Sequence, residues 1–206
     1  GDLVHGDWMA RFVPEGLRVI RDIAFSGNGE PTSASVFPEA VALVLRLRAE
    51  FGLSAAEVPL RLITNGSLMA QARVQEGVRL LGEAGGEVWF KVDAGTADAI
   101  ERINGVRLEP ESVARNLARC AQLCPTWVQT CMFRWDGEAP STAELDAYLA
   151  VFEAAGIDAL QGVLLYGIAR QSMQPEAVRL APLSADELEA IAAHLRKKGL
   201  TVRVSP

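Results

Sequence analysis

Cysteine and histidine are scarce in this chain: three and two in 206 residues. An odd cysteine count without framework spacing excludes a disulfide scaffold and points to a reducing compartment, so a cytoplasmic location is the expectation. His5 and His194 lie far apart and have no zinc-type spacing. No apolar run approaches the ~18 residues of a membrane span, and no secretory signal is visible. There is no basic stripe, and the formal net charge is −6, so nucleic acid is not an expected partner. No Gly-x-Gly-x-x-Gly opens a helix after a strand, which argues against a dinucleotide fold. No Gly-x-Ser-x-Gly element is present, which argues against a serine hydrolase.

What the chain does have is an almost unbroken alternation of strand and helix signals. Apolar, β-rich runs occur at Ile23–Phe25, Leu60–Ile63, Val88–Val92, Trp127–Phe133, Gly162–Tyr166 and Thr201–Val204. Helical spacing of apolar residues fills Val36–Phe51, Ala70–Ala84, Pro110–Leu123, Ser141–Ala155 and Ser184–Lys198. Ser141 with Glu144, and Ser184 with Glu187, match helix N-caps. Gly156 and Gly199 match C-caps, and Asn104-Gly105 reads as a helix stop. The stretches 136–140 and 171–182 read as loops. Alternating strands and helices predict an α/β fold with a parallel sheet, built as one domain over residues 1–206. The chain starts at Gly1 rather than Met and is read as a piece of a longer protein.

Polar residues gather just after the apolar strand cores. Ser26-Gly27-Asn28-Gly29-Glu30-Pro31-Thr32 follows the first strand, and Thr64-Asn65-Gly66 follows the second. Lys91 and Asp93 end the third, Gln129 and Thr130 lie in the fourth, and Tyr166 and Arg170 end the fifth. In a parallel sheet all these ends face one side, where α/β proteins bind ligands. A rim holding Glu30, Asn65, Lys91, Asp93, Gln129 and Arg170 suits a small polar ligand. Plainer readings stand beside this one. Lys91 and Asp93 share one strand face and can be a structural ion pair; Asn65-Gly66 can be a turn; Arg170 can be a solvated charge. No catalytic residue is assigned.

The same segments, in this order, resemble the radical S-adenosylmethionine (radical SAM) superfamily. Phe25-Ser26-Gly27-Asn28-Gly29-Glu30-Pro31-Thr32 is similar to its Gly-Gly-Glu element. Leu62–Gly66, Trp89–Gly95 with Ile103-Asn104, Val128–Thr130 and Tyr166–Arg170 resemble the following strand ends. The resemblance runs from Ile23 to Val204 and implies a partial (β/α)6 TIM-like barrel of parallel strands, with the first βα unit missing. It implies S-adenosylmethionine as cofactor: Gly27, Asn28, Gly29 and Glu30 at the methionine amino end, Asn65 and Asp93 near the carboxylate or ribose with Lys91 close by, and Gln129 and Tyr166 toward the adenine. It implies reductive cleavage to a 5′-deoxyadenosyl radical that acts on a small-molecule substrate. The family holds a [4Fe–4S] cluster through Cys-x3-Cys-x2-Cys, which this sequence lacks; Cys120, Cys124 and Cys131 read as structural thiols, and no metal ligand is assigned. The cluster is expected from an N-terminal segment, and the chain alone is expected to be inactive. Two other readings stay open: a cluster-less barrel that binds a nucleotide-like ligand or a protein, and an unrelated βα enzyme with Glu30, Lys91 and Asp93 as acid–base groups. An exposed sheet edge predicts self-association.

Overall fold

The structure is a computed structural model that describes residues 6–27, 29–170, 173 and 175–205. Six strands form one parallel sheet: β1 (Ile23–Phe25), β2 (Leu60–Thr64), β3 (Glu87–Lys91), β4 (Thr126–Cys131), β6 (Gly162–Tyr166) and β8 (Val202–Ser205). Their order is β1-β2-β3-β4-β6-β8, with every pair parallel. Parallel neighbours need a crossover, and helices supply it: α2 (Phe37–Glu50), α3 (Ala72–Glu83), α4 (Ala97–Asn104) with α5 (Pro110–Leu123), α6 (Thr142–Ala155) and α7 (Ala185–Arg196). The architecture is the partial TIM-like barrel anticipated above, open between β1 and β8. None of the helices is long and apolar enough to cross a membrane among the described residues.

Alternation along the strands sorts the side chains into two faces. Leu60, Leu62, Val88, Phe90, Val128, Val163 and Leu165 point into the helix layer, where they join Phe37, Val41, Val78, Leu81, Leu117, Phe152 and Leu188 in one continuous core. The other face carries Arg61, Trp89, Trp127 and Arg203. There Arg61 bonds Asp22 and Glu87 and lies over Trp89, and Arg203 lies 4.1 Å from the Trp127 ring centre. At the C-terminal end this second face ends in Lys91, Gln129 and Tyr166, with Lys91 in register with Gln129 and Cys131 in register with Tyr166.

Both serine caps form as read: Ser141 and Ser184 make full capping boxes with Glu144 and Glu187. Gly105 and Gly156 close α4 and α6 in the left-handed region. Gly199 sits two residues past the α7 cap, which is Lys197.

Four local features differ from the sequence expectation. A first helix, α1 (Asp7–Phe12), precedes β1, and α4 fills 97–104, where only a helix stop was read. The run Trp127–Phe133 is not one strand. Met132 is buried at a break, and β5 (Phe133–Trp135) leaves the sheet to pair antiparallel with β7 (Leu180–Pro182), inside the stretch read as a loop. Asp136 and Gly137, both at positive φ, make the two-residue turn that folds Glu138 back onto Trp135. A run of β-forming residues records extended backbone but not a change of partner, so sequence alone merged the two strands.

Candidate functional site

An open cavity of about 870 Å³ lies over the C-terminal ends of β1, β2, β3, β4 and β6. It is lined by eight of the nine residues assigned to cofactor binding. The β1 loop brings Gly27, Gly29 and Glu30; the β2 end brings Asn65; the β3 end brings Lys91 and Asp93; β4 brings Gln129 and β6 brings Tyr166. The ninth, Asn28, lies outside the described residues. Arg170 also lines the cavity, exposed at its edge.

Glu30 does not aim a free carboxylate at the cavity. One oxygen accepts from the Thr32 backbone N–H (3.1 Å), the Thr32 hydroxyl (2.6 Å) and the Thr64 hydroxyl (2.7 Å); the other accepts from the Asn65 backbone N–H (2.8 Å). It caps the short 3-10 turn Pro31–Ser33 and ties the β1 loop to the end of β2. Thr32 and Thr64 are both buried. Downstream, the Thr64 hydroxyl accepts from Gly66 N–H, and the Asn65 side-chain oxygen accepts from Ser67 N–H. Gly66 turns at φ +67 with the Phe90 ring against it; a Cβ there would sit 2.0 Å from that ring. The turn reading of Asn65-Gly66 holds, and the turn places Asn65 at the cavity rim.

Asp93 is buried, while Lys91 beside it is exposed. Their charges lie 3.7 Å apart, so the ion-pair reading also holds. The second Asp93 oxygen accepts from the Cys131 backbone N–H at 3.0 Å. Burial pushes the Asp93 carboxyl above its ordinary range, with Lys91 and the Cys131 N–H pulling the other way. Burial likewise raises the Tyr166 hydroxyl. The mouth therefore offers an ammonium, a guanidinium, a buried carboxylate, amide groups and a phenol around one space.

The three thiols do not form a cluster site. Cys120 and Cys124 are buried where α5 runs into β4, at the opposite end of the sheet from the mouth. The Thr126 hydroxyl donates to Cys120 Sγ, and Cys124 Sγ donates to the Gly86 carbonyl. Burial pushes Cys120 up to about 12 and Cys131 up to about 11. An iron–sulfur cluster needs thiolates converging on one point. Among the described residues no group of three His, Cys, Asp or Glu side chains is placed to hold a metal ion.

One wall of the cavity had no counterpart in the sequence reading. Ile100, Val106, Leu108 and Val113, from α4, α5 and the loop between them, give the cavity an apolar side. The signal was present: the Thr96 hydroxyl caps Ala99 N–H, and Ala99, Ile100 and Ile103 are spaced to share a helical face.

No family model and no curated protein matches the sequence. Solved structures do match the fold. A domain of pyruvate-formate lyase-activating enzyme from Bacteroides vulgatus ATCC 8482 is 13% identical with TM-score 0.62, over 89% of this chain and 98% of that one. A radical SAM methyltransferase from Sphaerobacter thermophilus is 15% identical with TM-score 0.61, over 93% of this chain and 52% of that one. Streptococcus suis SuiB bound to S-adenosylmethionine is 7% identical with TM-score 0.60, over 89% of this chain and 39% of that one. The chain thus spans about half or less of the last two. Its fold is the one these three proteins share.

Proposed function

We propose that the cavity over the strand ends binds S-adenosylmethionine and that the chain is the binding core of a radical SAM enzyme. The observation that carries this is the convergence of Gly29, Asn65, Lys91, Asp93, Gln129 and Tyr166, from five separate segments, on one space. The group fits the residues present. Bare backbone at Gly27 and Gly29 faces the amino end, and the cations Lys91 and Arg170 suit a carboxylate. Asp93 would suit the ribose hydroxyls, Gln129 and Tyr166 would offer hydrogen bonds to the base, and Ile100 and Val113 would give it apolar contact. Glu30 holds the loop through Thr32, Thr64 and Asn65 rather than by touching the ligand with a free oxygen.

Bound S-adenosylmethionine would supply an activated C–S bond; the chain's own residues would bind and orient it. A [4Fe–4S] cluster does not fit the thiols described, so reductive cleavage requires ligands from elsewhere, and the chain by itself supplies only binding. Isothermal titration calorimetry with S-adenosylmethionine tests the reading. Saturable binding is expected, weakened by Gln129→Ala and by Lys91→Ala. Absence of binding to the folded chain would overturn it.

The burial of Cys120 and Cys124 favours a second reading, a cluster-less module that binds the same nucleoside without cleaving it. Restoring cleavage by adding a cluster-bearing segment separates the two.

A further inference from the structure

A second cavity, of about 340 Å³, lies beside the first. Asp93 and Ala94 line both, so they form the partition between them. The two spaces differ in chemistry. The first is ringed by polar strand ends. The second lies between α4, β5 and the start of α6, and Ala99, Ile103, Met132 and Leu145 give it an apolar lining. Phe133 and Trp135 add aromatic surface, their ring centres 6.4 Å apart.

The wall at Trp135 is fixed. Arg102 and Arg179 lie over its ring at 5.3 and 4.7 Å. Arg102 also pairs with Glu144 at 3.0 Å, and Arg179 pairs with Asp136 through two nitrogens. Gly95 brings the β3 loop against the α6 backbone; a Cβ there would lie 2.2 Å from Ala147 and Tyr148. The cavity is therefore preformed rather than a gap between loose loops.

Its charge is one-sided. The lining includes four carboxylates, Asp93, Asp136, Glu138 and Glu144, and one guanidinium, Arg102. Pairing with Arg179 and Arg102 occupies Asp136 and Glu144. Among the described residues Glu138 at the rim has no ion pair, while Asp93 at the back pairs with Lys91 at 3.7 Å. An anionic ligand would meet uncompensated like charge, and a cationic one would be drawn in.

We propose that this second cavity is a substrate pocket that takes a compact apolar or aromatic group carrying a positively charged amine. A space of this volume is at the small end of ligand pockets and admits a ring system rather than a nucleoside. Its partition with the first cavity would set that group against whatever the first cavity holds. As a substrate pocket the assignment rests on the first cavity binding S-adenosylmethionine; as an amine-binding pocket it does not.

Tryptamine is a suitable probe, followed by two-dimensional amide NMR of the uniformly labelled chain. Saturable shifts are expected at Thr96, Ala99 and Ile103 and at the Trp135 indole N–H, and not at Gly29 or Asn65. Indole-3-acetate, with the same ring and the opposite charge, is expected to bind at least about fivefold more weakly. Glu138→Lys, a change at an exposed turn, is expected to weaken tryptamine about fivefold and to narrow that preference. Ile103→Trp, which fills the space, is expected to remove the shifts while spectral dispersion stays native. Shifts at Gly29 and Asn65 instead, no saturable shift at millimolar tryptamine, or equal binding of the two probes would each overturn the proposal. A parallel titration with S-adenosylmethionine keeps the two readings apart. If it binds and tryptamine does not, only the second cavity loses its role. If tryptamine binds and it does not, the pocket stands and the cofactor reading falls.

Discussion

Replacing Glu30 separates a clamp from a ligand contact. Its carboxylate accepts four hydrogen bonds, two from buried threonine hydroxyls and two from backbone N–H groups. A hydrogen bond to a charged group contributes about 1.5–3 kcal/mol, and truncation of one partner leaves the donors unpaired. The bonds share one side chain that is half-exposed, so water replaces part of the loss and they do not add. Glu30→Ala is therefore expected to cost about 2–3 kcal/mol. For a chain of this length each kcal/mol shifts Tm by about 2–4 °C, which gives a fall of about 4–12 °C by differential scanning calorimetry. Glu30→Gln keeps the shape but turns an amide N–H toward the Asn65 N–H, and is expected to recover only part of that loss. The β1 loop should loosen in both, with faster amide exchange at Thr32 and Asn65. A Glu30→Ala chain that melts within 1 °C of the parent, with unchanged exchange there, would refute the clamp.

Gly66→Ala is expected to destabilise the fold by more than about 2 kcal/mol in urea unfolding, since it combines positive φ with a collision against Phe90; a change under about 0.5 kcal/mol would refute the close packing. Asp93 is raised by burial, so its proton is held more tightly in the folded chain than in the unfolded one, whose carboxyl titrates near about 3.9. Stability should fall as pH rises from there through the raised value, and Asp93→Asn should flatten that slope; superimposable pH profiles would count against it. Thiol titration of the native chain should show Cys131 reacting slowly and Cys120 and Cys124 only after unfolding, while anaerobic treatment with iron and sulfide should yield no [4Fe–4S] absorbance; a stoichiometric cluster would contradict the placement of these thiols. Among the described residues the outer edge of β1 has no strand partner, and Leu43 and Leu47 on α2 and Phe51 just after it are exposed, so self-association is expected; a single monomer at every concentration in sedimentation velocity would exclude it.

The βα rhythm was legible because each buried strand is a short apolar run and each covering helix shows a one-sided stripe. The rim residues were legible for the same reason: Asn65, Lys91 and Gln129 interrupt or end an apolar run where the strand leaves the core. What resisted reading depends on long-range pairing. β5 and β7 are three residues each and meet across more than 40 positions, so neither carries a pattern of its own. Helix α4 is short, and without it the apolar wall at Ile100 and the whole second cavity had no place in the reading. The engagement of Glu30 was invisible too, because nothing local in Gly-Glu-Pro-Thr says that Thr64 lies within reach.

Glu144 and Glu187 each give one oxygen to a serine cap and the other to an arginine on a different element, Arg102 on α4 and Arg134 on β5. Hydrogen bonds from the capping serine backbones, then the serine hydroxyls and the arginines, hold both carboxyls below their usual range. Groups of this kind contribute above the unfolded titration range and lose that contribution as acid reaches the folded value. One proton on either carboxylate would thus release a helix start and a stretch of rim in the same event. Acid below the ordinary carboxylate range should fray the upper storey of the molecule while the parallel sheet beneath keeps its registry, which makes these two glutamates latches between support and superstructure.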